Sequence, residues 1–222
     1  MRQLDKDLED LKSLILTMGK NIEDALTEAV ESITRHEPEH FNRVMALEKQ
    51  TNQLHLQIDN TCLNLLATQA PVAHQLRFVV AIIKINSDLE RMGDQAVNIA
   101  LNARHARSET ATPATQHDIA TMARETQNMV HEALRAFLDQ SVALAYQVLE
   151  RDSILDALKD KVLCDLIPHM EKSPSDVKGS LELILITRNL ERIGDHATNI
   201  AEDVIFACTG EDIRHVQRQP QV

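Results

Sequence analysis

The chain has 222 residues, 43% of them hydrophobic, and a formal net charge of −11. That is enough apolar material for one large domain or two small ones. The negative charge argues against non-specific nucleic-acid binding, which rests on Lys and Arg neutralising phosphates, and favours cations or basic faces of protein partners. Aromatics make up 2%, Trp is absent and glycines number 5. Strands draw on aromatic and β-branched residues and turns on Gly and Pro, so the composition predicts an all-α protein.

Helical periodicity is sustained along the chain. A first helix is expected over residues 5–34, with Leu8, Leu11, Ile15, Met18, Ile22, Leu26 and Val30 on one stripe. His36-Glu37-Pro38-Glu39 interrupts it, and Pro38 suits the first turn of a second helix reaching residue 68. That helix turns Val44, Leu47, Leu54, Ile58, Cys62 and Leu65 inward. Pro71 precedes a third helix over 73–106. Residues 108–115, SETATPAT, form the most linker-like stretch, so a domain boundary is expected between 1–108 and 115–215. The second half repeats the plan with helices over 115–138, 141–167 and 175–208. Pro168 is expected to end the fifth helix, and Ser173-Pro174-Ser175-Asp176 to cap the sixth. Gly210 stands where a helix terminator belongs.

Cys62, Cys164 and Cys208 are odd in number, far apart and without a Cys-x-x-Cys pair. Neither a thiolate zinc site nor a disulfide framework is indicated. All three sit in apolar helical patterns and are expected to be small buried hydrophobes in a reducing compartment. The start, Met1-Arg2-Gln3-Leu4-Asp5, has no apolar signal segment. The apolar run from Phe78 to Ile83 is far short of the ~20 residues a membrane span requires. A soluble, cytoplasmic protein is expected, docking at a membrane only through protein partners.

The repeat is explicit in one block. Residues 89–100 read LERMGDQAVNIA and residues 190–201 read LERIGDHATNIA, identical at nine of twelve positions. On a helix, Leu89, Met92, Ala96, Ile99 and Ala100 share a core face. Glu90, Asp94 and Asn98 stack along one flank, four residues apart. The same holds for Leu190, Ile193, Ala197, Ile200 and Ala201 against Glu191, Asp195 and Asn199, with Glu202 a turn further. Carboxylates at this spacing repel by a few tenths of a kcal/mol (about 0.2–0.5). Arg91 and Arg192, solvent or a bound cation must offset that. Gly93 and Gly194 lie mid-helix, where Gly costs about 1 kcal/mol relative to Ala. Their missing side chains let a neighbouring helix approach the carboxylates.

Hard cations prefer carboxylate and carbonyl oxygens. Asp152, Asp156 and Asp160 on the fifth helix run at the right spacing to face Glu191 and Asp195. The matching positions of the second helix are Glu48, Asn52 and Leu56, a poorer set. If one site fills first, the second half is expected to hold it. The alternative is that these carboxylates make ordinary ion pairs. The ten histidines show no ligand spacing; His196 adjoins the second acidic flank. No phosphate-cradling glycine loop, Gly-x-Ser-x-Gly turn or Cys/His nucleophile pair appears, and the chain is expected not to be an enzyme. A carboxylate-bridged metalloenzyme remains the weakest alternative.

With LERMGDQAVNIA and LERIGDHATNIAEDVIF, the stretches MGKNIEDAL, QAPVAHQLRFVVAIIKINSDLERMGD and GEDIRHV resemble the PhoU family of phosphate-uptake regulators. The resemblance covers residues 5–215. It implies two antiparallel three-helix bundles in tandem and multinuclear metal clusters held by Glu/Asp-x-x-x-Asp pairs. Carried onto this sequence, these are Glu90 with Asp94, Glu191 with Asp195, and Asp152 with Asp156. Glu48 with Asn52 departs from the pattern by an uncharged amide. The metal is left open among iron, manganese, zinc, magnesium and calcium. The resemblance further implies a homodimeric adaptor between a phosphate ABC transporter ATPase and a sensor histidine kinase. Such an adaptor is a negative regulator of the phosphate-starvation response and of uptake. A structural helical interaction protein without functional metal is the competing reading.

Overall fold

In a computed structural model, described here for residues 3–35, 37–106 and 111–214, the chain forms six long helices with no strand among those residues. They are α1 (Gln3–Arg35), α2 (Pro38–Gln69), α3 (His74–Ala103), α4 (Pro113–Asp139), α5 (Val142–Lys172) and α6 (Val177–Thr209). The apolar stripes read from the sequence are the core. Leu11, Ile15, Met18, Ile22 and Leu26 of α1 are fully buried, while Leu8 and Val30 pack at its margin. Val44, Ile58, Cys62 and Leu65 of α2 point inward, with Leu47 and Leu54 partly covered. The core faces of both repeated blocks, Leu89 to Ala100 and Leu190 to Ala201, are sealed from solvent. Each such Leu, Ile or Met contributes roughly 1.5–3 kcal/mol by leaving water.

α2 packs on α1 and α3, and α5 packs on α4 and α6. The most extensive contact joins the halves, where α3 lies along α6. The pairing is antiparallel: Lys84 meets Asp203, and one turn further along α3 Asp88 meets His196. α1 and α4 run antiparallel in the same way, with Gly19 against Leu134 and Thr27 bonded to Gln127. One apolar cluster therefore runs through both halves.

Several element ends differ from the sequence reading. Pro168 does not end α5, which continues to Lys172. Proline removes one N–H from the helix ladder; Pro168 and Cys164, the residue whose carbonyl loses that donor, are both exposed, so water can satisfy it. The start of α6 has no side-chain cap. A 3₁₀ turn over Pro174–Asp176 leads into it, closed by the Asp176 N–H donating to the Ser173 carbonyl at 2.9 Å. The linker is shorter than expected, because Pro113, Ala114 and Thr115 already belong to α4 and Thr112 caps it by accepting from the Thr115 N–H. Residues 107–110 and those after Arg214 lie outside the described residues, as does part of GEDIRHV. Gly210 terminates α6 as expected, at φ 81° in the left-handed region. Cys164 is exposed, against expectation, because it lies on the outer face of α5.

Candidate metal-binding site

The two acidic flanks lie where α3 meets α2 and where α6 meets α5. At Gly194, the space a Cβ would take is filled by Leu155 Cδ1, with Met129 Cε 3.7 Å away. Leu155 stands between Asp152 and Asp156 in sequence, so the glycine draws those carboxylates towards Glu191 and Asp195. At Gly93 the neighbours are Ile22 Cδ1 at 3.4 Å and Thr51 Cγ2 at 3.6 Å, and Thr51 stands next to Asn52. The mid-helix glycines thus admit the neighbouring helix in both halves, more tightly in the second.

The second carboxylate set is organised around a lysine. Lys159 Nζ donates to Asp156 Oδ1 and to Glu191 Oε1, each at 2.8 Å. Its side chain is 24% exposed and Glu191 22%. Hydrogen bonds to Asp156 and Glu191 hold the ammonium well above the ordinary lysine range. Asp195 has no such partner. Its side chain is exposed at the rim, yet burial of the carboxylate pushes its pKa up to about 6. The charges of Glu191, Asp152 and Asp156 add to that, and His196 opposes them. Arg192, one of the groups that could have offset this flank, is exposed, and the counter-charge comes from Lys159. Asp160 is exposed and not among the charges felt by Asp195; Glu202 acts on Arg214.

The first set is built differently. Asn52 Nδ2 donates to Glu48 Oε1 at 2.6 Å, and Asn52 Oδ1 is buried with no hydrogen-bond partner. Glu90 is half-buried and Asp94 exposed. His55 occupies the position on α2 that Lys159 holds on α5, and faces Asp59 and the Asn86 carbonyl. Among the described residues, no three His, Cys, Asp or Glu side chains converge into a ready coordination shell. The donor chemistry nevertheless suits a hard cation: carboxylate oxygens in both sets, an unsatisfied amide oxygen in the first, and uncompensated negative charge at Asp195 in the second.

Sequence reasoning allowed ion pairs with Arg91, Arg192 and nearby lysines but did not single out Lys159, although its place three residues after Asp156 was a usable signal. It also missed the polar seam between the halves. There Asp88 Oδ1 accepts from Asn199 Nδ2 at 3.2 Å and lies 2.8 Å from His196 Nδ1. Lys84 pairs with the buried Asp203 at 2.8 Å. His196 is thus tied to the seam beside the acidic flank.

A family model described as the PhoU domain matches this chain twice, over residues 15–103 and 119–204. The chain belongs to the PhoU family. A relative in Pseudomonas aeruginosa, a phosphate-specific transport system accessory protein PhoU homolog, is 35% identical over 97% of this chain and 89% of its own length. The Escherichia coli accessory protein PhoU is 28% identical over 96% of this chain and 88% of its own. The crystal structure of PhoU from Pseudomonas aeruginosa superposes with a TM-score of 0.89 at 34% identity, covering 94% of this chain and all of that one. The PhoU structure from Streptococcus pneumoniae gives 0.86 at 25% identity, covering 95% of this chain and 99% of that one. The PhoU-like fold expected from the sequence, six helices in two repeats, is what the structure has. No helix among the described residues is long and apolar enough to cross a membrane.

Proposed function

We propose that this protein is a non-catalytic, cytoplasmic regulator accessory to a phosphate-specific transport system. It acts as a metal-binding adaptor between the phosphate ABC transporter ATPase and a sensor histidine kinase, and it represses the phosphate-starvation response and restrains uptake. The observation that carries this reading is membership of the PhoU family over most of the chain, with relatives named for that transport system matched over 89% and 88% of their own length. The duplicated acidic flanks supply the metal part. Iron, zinc, manganese or magnesium bridging α2 to α3, or α5 to α6, would pin those helices and fix the surface shown to partners.

Co-purification from phosphate-replete cells tests the adaptor. Recovery of the transporter ATPase and the kinase is expected, and recovery of neither overturns it. Replacing Glu90, Asp94, Glu191 and Asp195 by Ala is expected to remove bound metal; unchanged metal by elemental analysis overturns the site.

A homodimer is part of the proposal. Exposed Leu56 and Leu63 lie seven residues apart on one stripe of α2 with Met45. They are surrounded by Gln53, Gln57, Asn60 and Asn64, and the one carboxylate between them, Asp59, faces His55 at 3.5 Å. A chain of net charge −11 can approach its own copy there with less like-charge repulsion than at its acidic faces. Light scattering should show a dimer that Leu56→Glu with Leu63→Glu dissolves. The second reading, a helical interaction protein without functional metal, is favoured by the Lys159 bridge, which joins two carboxylates and offsets one of their charges with no metal ion.

A further inference from the structure

The repeat places like residues at like positions, so the differences between its copies are informative. Both halves bring a Glu-x-x-x-Asp flank of an inner helix against a carboxylate-bearing outer helix. Among the described residues, only in the second half does a lysine bridge the carboxylates of the two helices. We propose that Lys159 is the built-in cation of the second carboxylate set, so that an added metal ion is taken by the first half before the second. This rests on the proposed metal-binding reading and deepens it by ranking the two sites. It reverses the order that counting carboxylates in the sequence suggests.

Lys159 Nζ sits 2.8 Å from a carboxylate oxygen on α5 and 2.8 Å from one on α6. That is how a bridging metal ion would join the two helices, from Asp156 on one side and Glu191 on the other. An ion entering here must displace a charge-assisted pair of hydrogen bonds, which are among the stronger ones, and must leave the lysine beside it as a like charge. The lysine stem runs through a partly covered position, so its head is pre-placed rather than recruited from solvent.

The first half presents the opposite condition. Its outer helix carries His55 at the matching place, turned to Asp59 and the Asn86 carbonyl rather than to Glu48. Asn52 spends an N–H on Glu48 and leaves Oδ1 buried without a donor. A buried acceptor without a partner is destabilising, and a hard cation would satisfy it. The first set has fewer carboxylates, but among the described residues no lysine or arginine bridges them as Lys159 bridges the second set.

The experiment titrates the full chain with manganese(II), counting bound ion by electron paramagnetic resonance and following the thermal melt. Four proteins are compared: wild type, Glu90→Gln with Asp94→Asn, Glu191→Gln with Asp195→Asn, and Lys159→Met, which keeps the aliphatic stem and loses the charge. The tighter class of manganese is expected to persist in the second-half variant and disappear from the first-half variant. Lys159→Met should melt lower without metal, bind at the second set about tenfold more tightly than wild type, and regain its melting temperature with manganese. Lys159→Arg should behave as wild type. Should Lys159→Met fail to fold, amine labelling of wild-type Lys159 read by mass spectrometry answers the question instead. Labelling is expected to be slow without metal and faster only at manganese concentrations that fill the second set. Binding at both sets with no difference between wild type and Lys159→Met, or second-half filling first, overturns this inference and leaves the metal reading standing. Absence of manganese from every variant overturns both.

Discussion

Leu155 of α5 occupies the space that a Gly194 side chain would need, while Gly93, its counterpart in α3, meets only ordinary contacts with Ile22 and Thr51. The two glycines look equivalent in the sequence and are not. Gly93→Ala should stabilise by up to ~1 kcal/mol, the intrinsic helix gain. Gly194→Ala should cost about 1–3 kcal/mol, because Leu155 is fully buried and must move. Urea denaturation of both variants checks this, and equal effects would contradict the packing described here.

The raised pKa of Asp195 gives a pH dependence with a definite sign. The folded value is about 6 and the unfolded value about 3.9, so between those values the native state holds more protons. Stability contributed through Asp195 therefore falls as pH rises from about 4 to about 6, and the penalty is complete above that. Asp195→Asn should be more stable than wild type at pH 7 without metal, and the difference should vanish below pH 4. Thermal melts of both proteins across that range test it.

Lys84 pairs with Asp203 in the α3–α6 seam; Asp203 is 4% exposed and Lys84 also lies over the Phe206 ring. Burial raises the Asp203 pKa, and Lys84 pulls it back. Lys84→Met should destabilise by about 1–3 kcal/mol by leaving a buried carboxylate unpaired. Adding Asp203→Asn should restore part of the loss. A double-mutant cycle by chemical denaturation measures the coupling; a double variant no more stable than Lys84→Met would contradict the pairing.

The cysteines should separate by reactivity. Burial pushes the Cys62 thiol up to about 12 and encloses it, while Cys164 is exposed. A maleimide at pH 7.5 should label Cys164 rapidly and leave Cys62 untouched until the protein unfolds. Peptide mapping reads the result.

The sequence determined the helices, the repeat and the identity of the carboxylates. Its 3.6-residue periodicity states which face each helix buries, and the block at residues 89–100 recurs at 190–201 because the same packing problem is solved twice. Pro168 misled because the carbonyl it frees faces solvent, where water can take the lost hydrogen bond and the helix can continue, and exposure is a tertiary property. What only the tertiary structure decided is which charges meet. Arg192 is the neighbour of Glu191 along the chain, but Lys159, 32 residues away, reaches it across the α5–α6 groove. Asp88 likewise found His196 and Asn199 on another helix, and Leu155 filled the gap at Gly194. Periodicity fixes the direction of a side chain around its own helix, but the register and tilt between helices set its partners, and those follow from how the whole core packs.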